Sequence, residues 1–340
     1  MKNYNWGITG HRKISEFLQK SLDNKMLAHA YLFTGPEHLG KSLLASKFMA
    51  SILCQDYHAN AKLPVESLPC GQCIFCDQLN KGIHPDVYIL KKEEDKKNIS
   101  VEQVREMQKF LYLTSFLNSY KIALIDKAEE LSEGAQNALL KVLEEPRSKT
   151  ILILITRDTK FILPTIISRC QMFKFLPLAK EEIFQHLLKQ GASREEARIY
   201  SAISHGQIGL AINFLNNPES FKIYLGQVQQ LLELFEVNLA EKFKVLENLL
   251  ADYDSPLEKI EFLNQELNIW QNLVRDILFV QNNLSHLITN LPFTANLEKL
   301  AKKYQTNKLV ELIAKITKVK QILTYNINPR LAVENLVINL

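Results

Sequence analysis

The chain has 340 residues, 46% of them hydrophobic and 23% charged, with a formal net charge of +4. That balance indicates a globular protein with room for two or three domains, and so weak a positive excess neither demands nor excludes a nucleic-acid partner. No apolar run approaches the roughly 18 residues that a membrane-spanning helix needs, and Met1 to Ile8 lacks the apolar centre of a secretion signal. The expected protein is therefore cytoplasmic, with no membrane partner.

In chain order, the first informative segment is a short buried strand, Tyr31 to Thr34, followed by Gly35-Pro36-Glu37-His38-Leu39-Gly40-Lys41-Ser42. From Ser42 to Leu53, apolar residues recur at helical spacing at Leu43, Leu44, Phe48 and Ile52. A GxxxxGKS run between a strand and a helix wraps backbone N–H groups around phosphates, and the helix N-terminus adds positive field. In that reading Gly35 and Gly40 belong to the loop, Lys41 reaches the β and γ phosphates of a bound nucleotide, and Ser42 ligates Mg²⁺. The bland alternative is an ordinary strand-to-helix turn, and Glu37 puts a carboxylate near the anion site.

Four of the five cysteines come next, Cys54, Cys70, Cys73 and Cys76. Two-residue gaps aim successive thiolates at one tetrahedral centre, and Cys54 at the end of the preceding helix can complete it. Structural Zn²⁺ in a module of about residues 54–76 is the expectation, stapling the loop around Leu63 to Pro69. An iron–sulfur cluster and unliganded thiols are the other readings of this spacing. Cys170 stands apart and reads as a buried thiol.

Strands and helices then alternate. Asp86 to Leu90 reads as a strand, Lys91 to Asn98 as a solvated charged loop, Val101 to Leu113 as a helix and Lys121 to Asp126 as a strand. Ser132 to Glu145 is a helix halted by Pro146, and Ile151 to Thr156 a strand. This alternation predicts a mostly parallel sheet covered on both faces, within an α/β domain of residues 1–178. Asp126, at the end of its strand, is suited to hold a metal's water shell, or simply to cap the next helix. Lys127 comes next, where hydrolysing proteins of this general type carry a glutamate to orient water, and a charged amine cannot accept that water's proton. Glu129 and Glu130, at a different offset, are expected to point elsewhere.

From Ala179 the pattern is helical only. Ala179 to Gln190 ends at Gly191, Ser193 and Glu196 make a capping box, and a third helix follows Gly206, giving a three-helix lid over residues 179–217. Pro218 opens a region, 218–340, with a single glycine, Gly226, which favours long helices. One apolar face carries Ile260, Leu263, Leu267, Trp270, Val274 and Ile277, and another Leu309, Leu312, Ile313, Ile316 and Val319.

Several strings together resemble one family, the AAA+ clamp-loader subunits of bacterial replication. They are His29-Ala30-Tyr31-Leu32-Phe33, the four cysteines, His84-Pro85-Asp86, the run from Asn137 to Pro146 (NALLKVLEEP), Ser168-Arg169-Cys170, and the ending Asn328 to Leu336. The lid and the helical tail extend the likeness along the chain. The resemblance implies an AAA+ P-loop domain with an inserted zinc module, a lid, and a helical collar at 218–340 that joins a ring. It also implies that Arg169 is an arginine finger acting on a neighbouring subunit's ATP site, and that Thr156 holds the first sensor position. The implied partners are the delta and gamma/tau subunits of the loader, the sliding clamp (beta) and primer–template DNA.

Two departures choose between the family's members. Its motor subunits carry a glutamate after the Mg²⁺ aspartate and an arginine in a lid GSxRDA motif; here Lys127 and Gly209 stand in those places. The resemblance therefore implies a stator-like subunit that binds ATP or ADP with Mg²⁺ without turning it over and assists a neighbour. The alternatives are an ATP-hydrolysing motor, and a scaffold indifferent to nucleotide.

Overall fold

The computed structural model describes residues 4, 6–55, 68–93, 96, 98–115, 119–251, 253, 256–323 and 328–338. Positions 63–67 of the loop expected to be stapled, and 94, 95 and 97 of the charged run, lie outside them. The chain divides into two compact units, one of Met1–Ile183 with Gly206–Gly209, the other of Phe184–His205 with Leu210–Leu340.

The first unit runs α1 (Arg12–Asp23), β1 (Ala30–Thr34), α2 (Lys41–Leu53), α3 (Ile74–Asn80), β2 (Val87–Leu90), α4 (Val101–Tyr112), β3 (Lys121–Ile125), α5 (Glu133–Glu144), β4 (Thr150–Thr156), α6 (Pro164–Ile167) and β5 (Gln171–Lys174). Its five strands are all parallel, in the order β2-β3-β4-β1-β5. Strands β1, β3 and β4 are buried at every position, as expected where helices cover both faces of a sheet. Alternation of side chains then splits the core in two. Tyr31, Phe33, Ile122, Leu124, Ile153 and Ile155 pack with Leu18 and Leu22 of α1 and Phe48 and Ile52 of α2. Leu32, Ala123, Ile125, Leu152 and Leu154 pack with Val104 and Met107 of α4 and Leu139 and Leu143 of α5.

Sequence periodicity leaves α1 and β5 unassigned. In β5 only Phe173 is buried of four residues, so an edge strand this short carries no alternation to read. Its place is set by pairing with β1, Phe33 opposite Phe173. With β4 between β3 and β1, the carboxyl ends of three strands lie side by side, the edge at which open parallel sheets hold ligands.

The second unit is helical. Gly191 adopts φ +93° after α7 (Lys180–Lys189), and Ser193 and Glu196 form both hydrogen bonds of a capping box at the start of α8 (Arg194–Ile203). Helix α9 (Ile208–Asn216) ends before Pro218, the first residue of α10 (Pro218–Leu234). Then come α11 (Leu239–Ala251), α12 (Pro256–Gln281), α13 (Thr294–Lys303), α14 (Thr306–Ile322) and α15 (Pro329–Val337). Leu263, Leu267, Trp270, Val274 and Ile277 of α12 share one core with Leu309, Leu312, Ile316 and Val319 of α14, while Ile260 and Ile313 are only partly buried at its rim. A polar knot lies within this unit. Asp276 is wholly buried, and one carboxylate oxygen accepts from the backbone N–H and side chain of both Thr289 and Asn290 at 2.8–3.0 Å. Such saturation is what permits a carboxylate in an apolar core. Among the described residues no helix is long and apolar enough to cross a membrane.

Candidate nucleotide pocket, cysteine cluster and exposed arginine

The segment after β1 turns sharply because of its glycines. Gly35 has φ +140°, and a Cβ there would stand 2.3 Å from the Phe175 carbonyl oxygen. Its amide donates to Thr156 at 3.2 Å, tying the loop to the end of β4. Gly40, at φ +84°, is the cap of α2, so the helix begins at Lys41 with its free N–H groups turned toward the loop. The Lys41 side chain is largely buried, and its ammonium donates to the Gly35 carbonyl at 2.6 Å and to the Pro36 carbonyl. Burial lowers its pKa, opposed by the charges of Glu129, Glu37 and Asp126.

Ser42 and Asp126, 84 positions apart in the chain, meet here. The Ser42 hydroxyl lies 3.5 Å from the Asp126 carboxylate, close enough for one hard cation to draw on both. Thr156 is almost fully buried at the end of β4, its hydroxyl donating to the Asp158 carbonyl at 2.9 Å. Lys127 takes the left-handed conformation, φ +59°, and its side chain is exposed.

Glu129 folds back beside the end of β4, 8% exposed and paired with the Arg157 guanidinium at 3.8 Å; its charge, with those of Glu37 and Asp126, opposes the lowering of the Lys41 pKa. Its two oxygens each lie 3.4 Å from the Arg157 amide. The left-handed turn at Lys127 followed by a short 3₁₀ turn, Ala128–Glu130, swings it round, a change of direction that strand spacing cannot forecast. Gly209 is also part of the surroundings, its amide donating to the His38 carbonyl at 2.8 Å.

The sulfur atoms of Cys54, Cys70, Cys73 and Cys76 all lie within 4.8 Å of one another. The Cys73 amide points at the sulfur of Cys70, 3.3 Å away, and the Cys76 amide at that of Cys73, 3.5 Å away. Burial raises the Cys73 pKa, but hydrogen bonds from the Cys76 and Gln55 amides outweigh it and bring the thiol to about 7; Cys76, more buried, is pushed up. A set of four sulfurs this close could hold one metal ion. Cys170 lies outside it, half-buried, with burial pushing its thiol up to about 12.

Arg169 sits between α6 and β5 with 37% of its side chain exposed. One amino group of the guanidinium pairs with Glu144 at 2.9 Å, and the other donates to the Thr165 carbonyl at 3.0 Å. Glu144 is a partner that no spacing rule could find, since it lies on a different helix.

Residues 10–179 match the family described as DNA polymerase III, delta subunit, and residues 237–340 match its C-terminal family. The chain belongs to the DNA polymerase III delta-subunit family, in its delta-prime branch. It is 43% identical to DNA polymerase III subunit delta' of Pseudomonas aeruginosa over 143 residues, 42% of each chain. It is 28% identical to the delta' subunit of Bacillus subtilis over 331 residues, 96% of this chain and 95% of the relative. A gamma subunit from Buchnera aphidicola is 29% identical over 347 residues, 96% of this chain and 92% of the relative. Over nearly the whole chain, a delta' and a gamma subunit thus align at similar identity.

Proposed function

We propose that this chain is the stator-like subunit of an AAA+ clamp loader, holding a nucleotide without turnover and lending Arg169 to the ATP site of a neighbouring subunit. The observation that carries the reading is the contrast between an exposed guanidinium at Arg169 and a pocket with a lysine at 127 and a glycine at 209. A guanidinium is permanently charged and forks onto phosphate oxygens as their charge spreads in the transition state, which makes it useful in trans. Within the chain's own pocket, Gly35, Gly40 and Lys41 would hold the phosphates of ATP or ADP, Ser42 and Asp126 the Mg²⁺, and Thr156 would face the terminal phosphate. The reading takes residues 1–178 as the AAA+ domain, 179–217 as the lid and 218–340 as the collar that joins delta and gamma/tau subunits in a ring. The ring would open the sliding clamp and grip primer–template DNA, its ATP-bound and hydrolysed states favouring different arrangements.

For the cysteine cluster we propose Zn²⁺ bound by Cys54, Cys70, Cys73 and Cys76. Support comes from sulfurs within 4.8 Å of each other, which suit one tetrahedral ion better than a multi-iron cluster, whose thiolates must stand farther apart. The set has no open ligand position, so its role is structural.

Replacing Arg169→Ala in a reconstituted loader tests the assisting role. ATP turnover of the complex should fall roughly tenfold to a thousandfold with assembly intact. Normal assembly with unchanged turnover would leave only a scaffold. A second reading, a self-sufficient motor, draws support from the Glu129 carboxylate, whose charge acts on Lys41 although it is paired with Arg157. Turnover by the isolated chain that vanishes in Lys41→Ala would establish it instead.

A further inference from the structure

We infer that Glu144 is a positioning residue for Arg169, holding the guanidinium in a fixed orientation before a neighbouring subunit's phosphate reaches it. The inference rests on the assisting role proposed above and adds a residue to it. Glu144 is the last residue of α5 and lies 25 positions before Arg169, so their 2.9 Å contact is made by the fold and not by local chain geometry. The second anchor, the Thr165 carbonyl, belongs to α6. Leu139 and Leu143 of α5 and Ile166 of α6 share one hydrophobic cluster, so both anchors stand on one packed body.

Two properties of the pair separate positioning from stabilisation. Both side chains are open to water, 37% for Arg169 and 52% for Glu144, and exposed ion pairs contribute little to folding. What the pair does restrict is a long side chain with many rotamers, whose ordering would otherwise be charged against contact with the phosphate. The contact need not be broken for the arginine to act. A guanidinium carries five N–H groups; the Ser168 hydroxyl, 3.5 Å from the amino group that also reaches Thr165, engages a third, and the remainder can fork onto an anion.

The test uses a loader reconstituted with this chain as wild type, Glu144→Ala, Glu144→Gln, Arg169→Ala and the Glu144→Ala/Arg169→Ala double variant, with kcat and KM for ATP measured separately. Glu144→Ala should lower kcat about two- to fivefold, the range an exposed ion pair can supply, with KM, assembly and melting temperature unchanged. Glu144→Gln keeps an acceptor oxygen at the same reach and should recover at least half of that loss. In the Arg169→Ala background the Glu144 change should add nothing. An unchanged or raised kcat in Glu144→Ala, or an equal loss with and without Arg169, overturns the inference while leaving the assisting role intact. Full turnover in the Arg169→Ala loader removes the assisting role, and this inference with it.

Discussion

The backbone amide of Gly209 donates to the carbonyl of His38, 2.8 Å away, joining the start of α9 to the middle of the glycine-rich loop. A Cβ at 209 would lie 3.0 Å from the His38 carbonyl oxygen and 3.3 Å from its Cα and Cβ. His38 is itself held at φ +59°, so it has little freedom to retreat. The position favours glycine by contact, independently of any requirement on its own dihedral angles.

Gly209→Ala should therefore destabilise the chain by about 1–2 kcal/mol, the usual cost of crowding a packed contact. Gly209→Arg should cost at least as much and should not create turnover, because Lys127 still offers no proton acceptor. Thermal melting and an ATPase assay of the isolated variants check both statements; a Gly209→Arg chain that melts normally and hydrolyses ATP would refute them.

Nucleotide binding should be visible as stabilisation. Adding ATP with Mg²⁺ should raise the melting temperature of the wild-type chain, since a ligand that binds only the folded state stabilises it by mass action. Lys41→Ala removes the ammonium now held by Gly35 and Pro36 and should weaken binding at least tenfold, erasing the shift at ligand concentrations near the wild-type dissociation constant. Ser42→Ala should remove the dependence on Mg²⁺ and leave most of the phosphate contact. Equal shifts in all three proteins would mean that nucleotide binds elsewhere or not at all.

The cysteine cluster should retain about one zinc per chain after gel filtration, with no visible charge-transfer band of the kind iron–sulfur centres give. A strong chelator should lower the melting temperature and expose the thiols to a colorimetric reagent, and Cys76→Ser should do the same without chelator. A metal-free chain with unaltered melting would contradict a structural ion. The hydrophobic contacts around Leu68, Cys54 and Cys76 form too small a cluster to order the module alone.

Stability in the helical unit should fall as pH rises toward neutrality. Glu266 is almost fully buried, accepting from Gln227 at 2.6 Å. Burial lifts its carboxyl from the ordinary 4.5 to about 7, against the opposing hydrogen bonds from Gln227 and Trp270. The folded state thus holds a proton that the unfolded chain has already lost, so the associated stability is fully present below about pH 4.5 and disappears as pH passes through about 7. The loss is at most roughly 3–4 kcal/mol. Glu266→Gln should flatten this part of the profile, measured as urea midpoints at about pH 5 and about pH 8. A wild-type midpoint that does not decline between them, or a Glu266→Gln profile that follows the wild type, would count against it.

The features legible from residues alone were those whose partners lie within a few positions of each other. The glycine–lysine–serine loop sits between its strand and helix as the spacing requires, Ser193 and Glu196 cap each other across one turn, and Cys70, Cys73 and Cys76 converge because two-residue gaps leave them little choice, whereas Cys54, 16 positions earlier, is brought to them by the fold. The same holds for the apolar faces of α12 and α14, where helical periodicity names the buried positions. Tertiary structure decided the rest. Strand β5 exists because β1 offers it an edge, and Glu129 meets the Arg157 amide because the chain turns left-handed at Lys127. The Asp276 knot, the Gly209–His38 bond and the Glu144–Arg169 pair join residues 13 to 171 positions apart. Contacts at such separations depend on how elements pack, and packing energy is spread over many side chains without marking any one residue in the sequence.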